Sequence, residues 1–203
     1  ALIGVPIGIV SAVKQYSAVD SISRVLAMLL AAFPPFWLGM LLILLFALKL
    51  GWLPSSGIST PQSYILPVIT IAIPQAASLL RFSRSTMLET IRQDYIRTAR
   101  AKGVPERTVI IKHGLRNALL PIVTVLGDAF GRLLGGVVII ESVFAIPGMG
   151  QFALTSILTK DVPQVMASVI FLSAVFCLIM LVVDVLYIFI DPRIKSAYTA
   201  RKS

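Results

Sequence analysis

The sequence predicts an all-α membrane protein, a polytopic bundle of helices. Three observations carry this. Of the 203 residues, 57% are hydrophobic and only 13% are charged, whereas a soluble domain carries about 25% charged residues. The apolar residues gather in runs near the roughly 20 residues that a helix needs to cross about 30 Å of hydrocarbon. Lys and Arg alternate between rich and poor connections along the chain. Runs this long and uniformly apolar do not suit barrel strands, so helices are the spanning form.

The chain opens on ALIGVPIGIV, which is already apolar. It carries no basic leader and no small-residue cleavage site, so it does not read as a signal peptide. It is taken as a fragment beginning inside or at the edge of a first span. Four apolar stretches follow, at 25–48, 65–80, 118–140 and 165–190, giving about five spans. The run at 65–80 is short, but its helix can continue into 81–87 with its arginines snorkelling. Pro34, Pro35, Pro67, Pro74 and Pro121 punctuate the spans. Kinked packing is the plainer reading of them, ahead of a gating hinge. Gly131 and Gly135 form a G-x-x-x-G pair that lets another helix approach closely, in this chain or another.

Charge sets the orientation. The 13–24 connection holds Lys14 and Arg24, and the 49–64 connection only Lys49. The 81–117 connection holds nine basic residues, the 141–164 connection only Lys160, and the tail four. By the positive-inside rule, 81–117 and the tail at 191–203 are cytoplasmic and 141–164 is extracytoplasmic. The formal charge of +9 therefore reads as topology. A nucleic-acid surface would interleave aromatics with the bases, and only Tyr95 does so here.

The basic connection is organised. Leu88, Ile91, Tyr95 and then Thr98 or Ala99 recur at helical spacing from Met87 onward. Gly103 terminates that helix, and Pro105 and Glu106 suit the first turn of another. The stretch reads as helix, glycine turn, helix. Its length exceeds what joining two spans requires.

Three segments carry a resemblance. YIRTARAKGVPERTVIIKHGLRNALLPIVT resembles the cytoplasmic EAA loop of ABC importer permeases of the dipeptide, oligopeptide and nickel family. Arg97, Thr98 and Ala99 stand where the generic motif has Glu-Ala-Ala; the first two letters depart from it but fit this family's own version. ESVFAIPGMG resembles the E-x-V-F-x-x-P-G-x-G segment after the fifth span, and DPRIK the family's ending. The fit is closest to the B-type subunit, without its first span and outer region.

The resemblance implies a single permease domain over 1–203, with the fold of a type I importer. It implies a bacterial or archaeal plasma (inner) membrane protein with a cytoplasmic C-terminus. Its partners would be a second permease subunit, two ATPase subunits, a substrate-binding protein outside and the lipid bilayer, with no nucleic acid. The EAA loop would be a coupling helix in a groove of the ATPase. Ala99 lets it seat closely, Gly103 turns the chain, and Arg97, Thr98, Arg100, Lys102 and Arg107 complete the docking surface. Glu141, Phe144, Pro147 and Gly148 would belong to an outer mouth. A capped hairpin connection accounts for that segment equally well.

Asp128 and Arg132 lie four apart within the fifth span, sharing a helical face. A charge at bilayer depth costs roughly 2.5–3.5 kcal/mol, so such residues face each other or a cavity. They form a structural pair or line the path for charged cargo. Asp184 is a further intramembrane acid, placed to pair with Arg132 or to sit near the inner interface.

Catalytic constellations are missing. The single histidine, His113, lies in the basic connection, so no intramembrane serine–histidine pair exists. No His or Cys pair has metal-ligand spacing, so no metal site is expected. Cys177 stands alone in an apolar run and reads as inert buried filling. No phosphate-binding glycine loop is present, so the chain is not an enzyme and binds no cofactor itself. ATP and Mg would be used by its partners. Peptide is the favoured cargo, with nickel or other metal chelates the alternative. An ion-coupled secondary transporter using Asp128 and Asp184 is the rival of a different class.

Overall fold

The computed structural model describes residues 1–190, apart from the side chains of Arg132, Leu134, Gly135, Gly136 and residues 186–190. The DPRIK ending and the tail lie outside the described residues. All the regular structure is helical: α1 (Gly4–Val13), α2 (Ala18–Ala32), α3 (Pro35–Leu42), α4 (Ile65–Ile91), α5 (Asp94–Ala101), α6 (Glu106–Thr108), α7 (Arg116–Val143), α8 (Met149–Leu158) and α9 (Val162–Ile190). Two π-helical stretches, Ile43–Lys49 and Val109–Leu115, extend α3 and join α6 to α7.

Among the described residues three helices are long and apolar enough to cross a bilayer: Pro61–Ile91, Glu106–Gly131 and Val162–Val185. The run at 25–48, read as one apolar span punctuated by Pro34 and Pro35, is two helices bent by 95° at Phe33 and Pro34. The cause is local. Pro34 takes an extended conformation (φ −61°, ψ 133°) because Pro35 follows it. Pro35 then opens α3 at a position where its missing N–H costs nothing. Together the two helices are apolar enough for a broken span or a re-entrant loop. The opening stretch, read as the remainder of a first span, is the ten-residue helix α1. As expected, the helix at 65–80 runs on through the arginines, to Ile91.

The chain forms two compact units. The first comprises Ala1–Met28, Ala76–Asp128 and Ile179–Ser203. Here α1 lies on α4 without side chains between them: a Cβ on Gly4 would strike the Ala76 carbonyl, and one on Gly8 the Leu80 carbonyl and Ser83. Buried Ala12, Met87, Ala118 and Ile122 form its core. Gly127 packs on Val183 of α9. The second unit comprises Leu29–Gln75 and Ala129–Leu178. Its core is Leu66, Ile140 and Phe144, with Gly39 against the Phe144 ring. Gly131 abuts Phe176, so the close packing expected there has its partner within the chain.

Polar residues survive in these spans by satisfying themselves. Thr70, Ser83, Thr90 and Ser168 each bond the carbonyl four residues back. Among the described residues no buried side-chain polar atom lacks a partner. Cys177 departs from expectation: it is exposed on α9. An apolar outer surface accepts a thiol as readily as a core does, because lipid is as apolar as leucine.

Candidate functional site

The basic loop is a helix, a tight turn and a second helix. α4 ends at Ile91, and Gln93 takes an extended conformation (φ −68°, ψ 150°) before α5 begins. That break resets the helical phase. The apolar stripe expected to run from Met87 through Tyr95 is therefore cut. Ile96 is fully buried, and Tyr95 is 44% exposed. α5 packs against the π-helical stretch Val109–Leu115.

Gly103 ends α5 in the left-handed region, at φ +75°. The Val104 N–H donates to the Ala99 carbonyl (3.3 Å) and the Gly103 N–H to the Arg100 carbonyl (2.9 Å). This is the paired-bond helix ending for which glycine is the preferred residue. Nothing lies within 4 Å of where a Cβ would stand, so backbone conformation is what selects glycine. Glu106 opens α6, which runs without a break into α7. The second arm of the loop is thus the foot of the helix that continues as α7.

The Arg100 guanidinium meets the Glu106 carboxylate with both arms of its fork, Nε to Oε2 at 3.0 Å and NH2 to Oε1 at 2.7 Å. The carboxylate raises the Arg100 pKa above its ordinary value. Arg97 lies 4.0 Å from Asp94, both side chains largely exposed. Thr98 turns its hydroxyl back to the Asp94 carbonyl. Of the residues named for docking, Arg97, Thr98, Arg100, Lys102, Gly103 and Arg107 are exposed, and Ala99 is half-buried. An open cleft of about 310 Å³ lies beside α5, lined by Thr86, Glu89, Thr90, Gln93, Tyr95, Asn117 and Pro121.

In the second unit, ESVFAIPGMG is a structural cap. α7 ends with Ala145 at φ +49°, and the Ile146 N–H donates to the Glu141 carbonyl at 2.8 Å. The chain turns at exposed Pro147 and starts α8 after Gly148. Glycine has no side chain with which to cap that helix. Instead the buried Glu141 carboxylate accepts the Gln151 N–H at 2.6 Å. A carboxylate there satisfies an orphan amide and complements the helix dipole. Any Cβ on Gly148 would strike that carboxylate, and one on Gly150 would strike Val138. Phe144 is buried in the core, and its carbonyl accepts the Gly57 N–H at 2.9 Å.

Asp128 and Asp184 are exposed on α7 and α9. The Arg132 side chain, and hence either pairing expected of it, lies outside the described residues.

Sequence reasoning counted Arg84 only as a topology charge and passed over Asp20. Asp20 is fully buried, and Arg84 reaches it through Nε (2.6 Å) and NH2 (2.9 Å). Ser11 donates to the same carboxylate at 2.6 Å and the Tyr16 N–H at 3.0 Å. The available signal was an acid in a short connection otherwise holding only bases and neutral residues. Gly4 and Gly8, a second G-x-x-x-G pair, were likewise passed over.

These features define the chain as an all-α, multi-pass membrane protein with an exposed cationic loop. A model of the family described as "binding-protein-dependent transport system inner membrane component" matches residues 4–196. The chain belongs to that family, and its architecture is that of the transmembrane domain of a type I ABC importer. It is 47% identical over 194 residues to a glutathione transport system permease protein of Pectobacterium atrosepticum. It is 45% identical to the protein of that name from Escherichia coli K12 and 46% to that from Salmonella choleraesuis. Each match covers 96% of this chain and 63% of the relative, so the chain spans less than two thirds of these relatives' length.

Proposed function

We propose that the full-length protein is a pathway subunit of an ATP-driven, binding-protein-dependent importer of peptides or peptide-like thiols. The observation that carries this is the exposed cationic ridge of α5, fixed by the Gly103 turn and continuous through α6 with α7. Such a ridge suits the groove of an ATPase, because guanidinium groups make charge-assisted contacts with a partner's carboxylates and carbonyls. ATP with Mg would be spent by two ATPase subunits, beside a second permease subunit and under an external binding protein. Charge supports a cytoplasmic loop: among the described residues the first unit holds eleven Lys and Arg, the second three. The same rule makes the tail cytoplasmic.

Glutathione is the favoured cargo, since the relatives are named for its transport. Asp128, with Arg132 one turn on, would meet its charged ends along the path. Arg132→Leu should then abolish uptake without blocking assembly.

The test is uptake by the reconstituted complex of labelled glutathione, of a dipeptide and of a Ni²⁺ chelate, each with its binding protein. ATP-dependent uptake of glutathione or the dipeptide supports the reading. Uptake of the nickel chelate alone would replace the cargo. Uptake that survives ATP depletion and collapses with an uncoupler would overturn the mechanism in favour of ion coupling.

A further inference from the structure

We infer that the buried Asp20–Arg84 pair is a tie that carries motion of the basic loop to the elbow between α1 and α2. The inference rests on the proposed docking of α5 to an ATPase. Arg84 lies on α4 ten residues before α5 begins, with unbroken helix to Ile91 between them. Ahead of it in sequence, Ser83 reaches the Val5 carbonyl at 3.5 Å, and Gly8 sits against Ser83 and the Leu80 carbonyl. One turn on, Met87 is fully buried in the core with Ala12, Ala118 and Ile122, and its methyl closes on Gly114 of the loop's second arm. This segment of α4 is therefore gripped by α1 and by the loop.

The elbow is closed locally by the Ser17 N–H, which donates to the Lys14 carbonyl at 3.1 Å. Tyr16 adopts φ +65°, a conformation that a bulky residue keeps only when its surroundings impose it. The Asp20 carboxylate imposes it by accepting the Tyr16 N–H, while Ser17 Oγ accepts the Asp20 N–H at 3.3 Å. Arg24, at 3.7 Å and half-exposed, is a looser third partner. One carboxylate thus binds α4, α1 and the elbow at once. Helices tied this way move as one body, because the fork of Arg84 fixes direction as well as distance. A lysine would keep the charge and lose the fixed direction.

Amide hydrogen exchange on the complete, full-length complex tests this. Exchange at 94–104 and at 14–17 is compared between the nucleotide-free and the ADP–vanadate-trapped states. In the wild type both segments should respond. In Arg84→Lys the response at 94–104 should persist while that at 14–17 is lost. Asp20→Asn, which keeps the shape and removes the charge, should do the same. An elbow that responds in Arg84→Lys as in the wild type overturns the tie, as does a wild-type elbow that ignores the nucleotide while 94–104 responds. If 94–104 itself ignores the nucleotide in the wild type, the docking reading falls, and the tie with it.

Discussion

Arg100 and Glu106 close a ring across the Gly103 turn, two charge-assisted bonds joining the last turn of α5 to the first of α6. The pair sets the angle at which α5 leaves the chain. Both side chains are about half exposed, so the bond adds at most about 1 kcal/mol to stability. We predict that Glu106→Gln and Arg100→Lys leave the melting temperature of the detergent-solubilised protein within error and weaken ATPase association equally. The double variant should be no worse than either single one. If Arg100 instead touches the ATPase directly, Arg100→Lys will weaken association and Glu106→Gln will not.

Gly103 makes a sharper case, because nothing surrounds it. A Cβ there meets no atom within 4 Å, so substitution costs only left-handed strain, about 1–2 kcal/mol. Retention of the ATPase on purification should follow Gly, then Asn, then Ala, then Val, the order in which side chains tolerate that region. A valine variant that retains the ATPase as the wild type does would show that the turn is not needed for docking.

Glu141 and Gly148 are one unit. Gly148→Ala drives a methyl into the carboxylate that caps α8. Overpacking of this kind costs about 1–3 kcal/mol, and losing the cap in Glu141→Ala costs about 1 kcal/mol. Because the methyl's obstacle is the cap itself, the double variant should be less destabilised than the sum. A coupling above about 0.5 kcal/mol in a double-mutant cycle of unfolding is the expected reading. Strict additivity would mean that the backbone, not the carboxylate, is what Gly148 avoids.

Hydropathy made the long spans legible, because lipid imposes it through a term that each residue carries alone. The glycine turn was legible for the same reason: φ +75° is a demand on one residue. What escaped depends on pairs distant in sequence. Asp20 and Arg84 are 64 residues apart, and nothing in either neighbourhood names the other. Tyr95 was given to the apolar face because periodicity assumes one continuous helix, and the extended Gln93 broke it. ESVFAIPGMG was readable as a motif but not as a cap, since Glu141 acts on an amide ten residues on, across a turn.

The ion pair of Asp20 and Arg84 yields the last prediction, which concerns stability. Arg84→Met leaves a buried carboxylate with only Ser11, the Tyr16 amide and the loose Arg24 around it. Orphaning a buried charge costs about 3–5 kcal/mol. The lower end applies, because Ser11, the Tyr16 amide and Arg24 remain to meet the carboxylate. Replacing both partners by apolar residues of similar size removes the desolvation cost together with the attraction, and is often neutral. Asp20→Leu with Arg84→Met should therefore regain most of what Arg84→Met loses, read as the midpoint of SDS-driven unfolding. It should not regain the nucleotide response of the elbow, because leucine cannot accept the Tyr16 amide or fix the direction of α4. Recovery of stability without recovery of the response separates holding the fold from transmitting motion. A double variant that recovers both would assign the pair to packing alone.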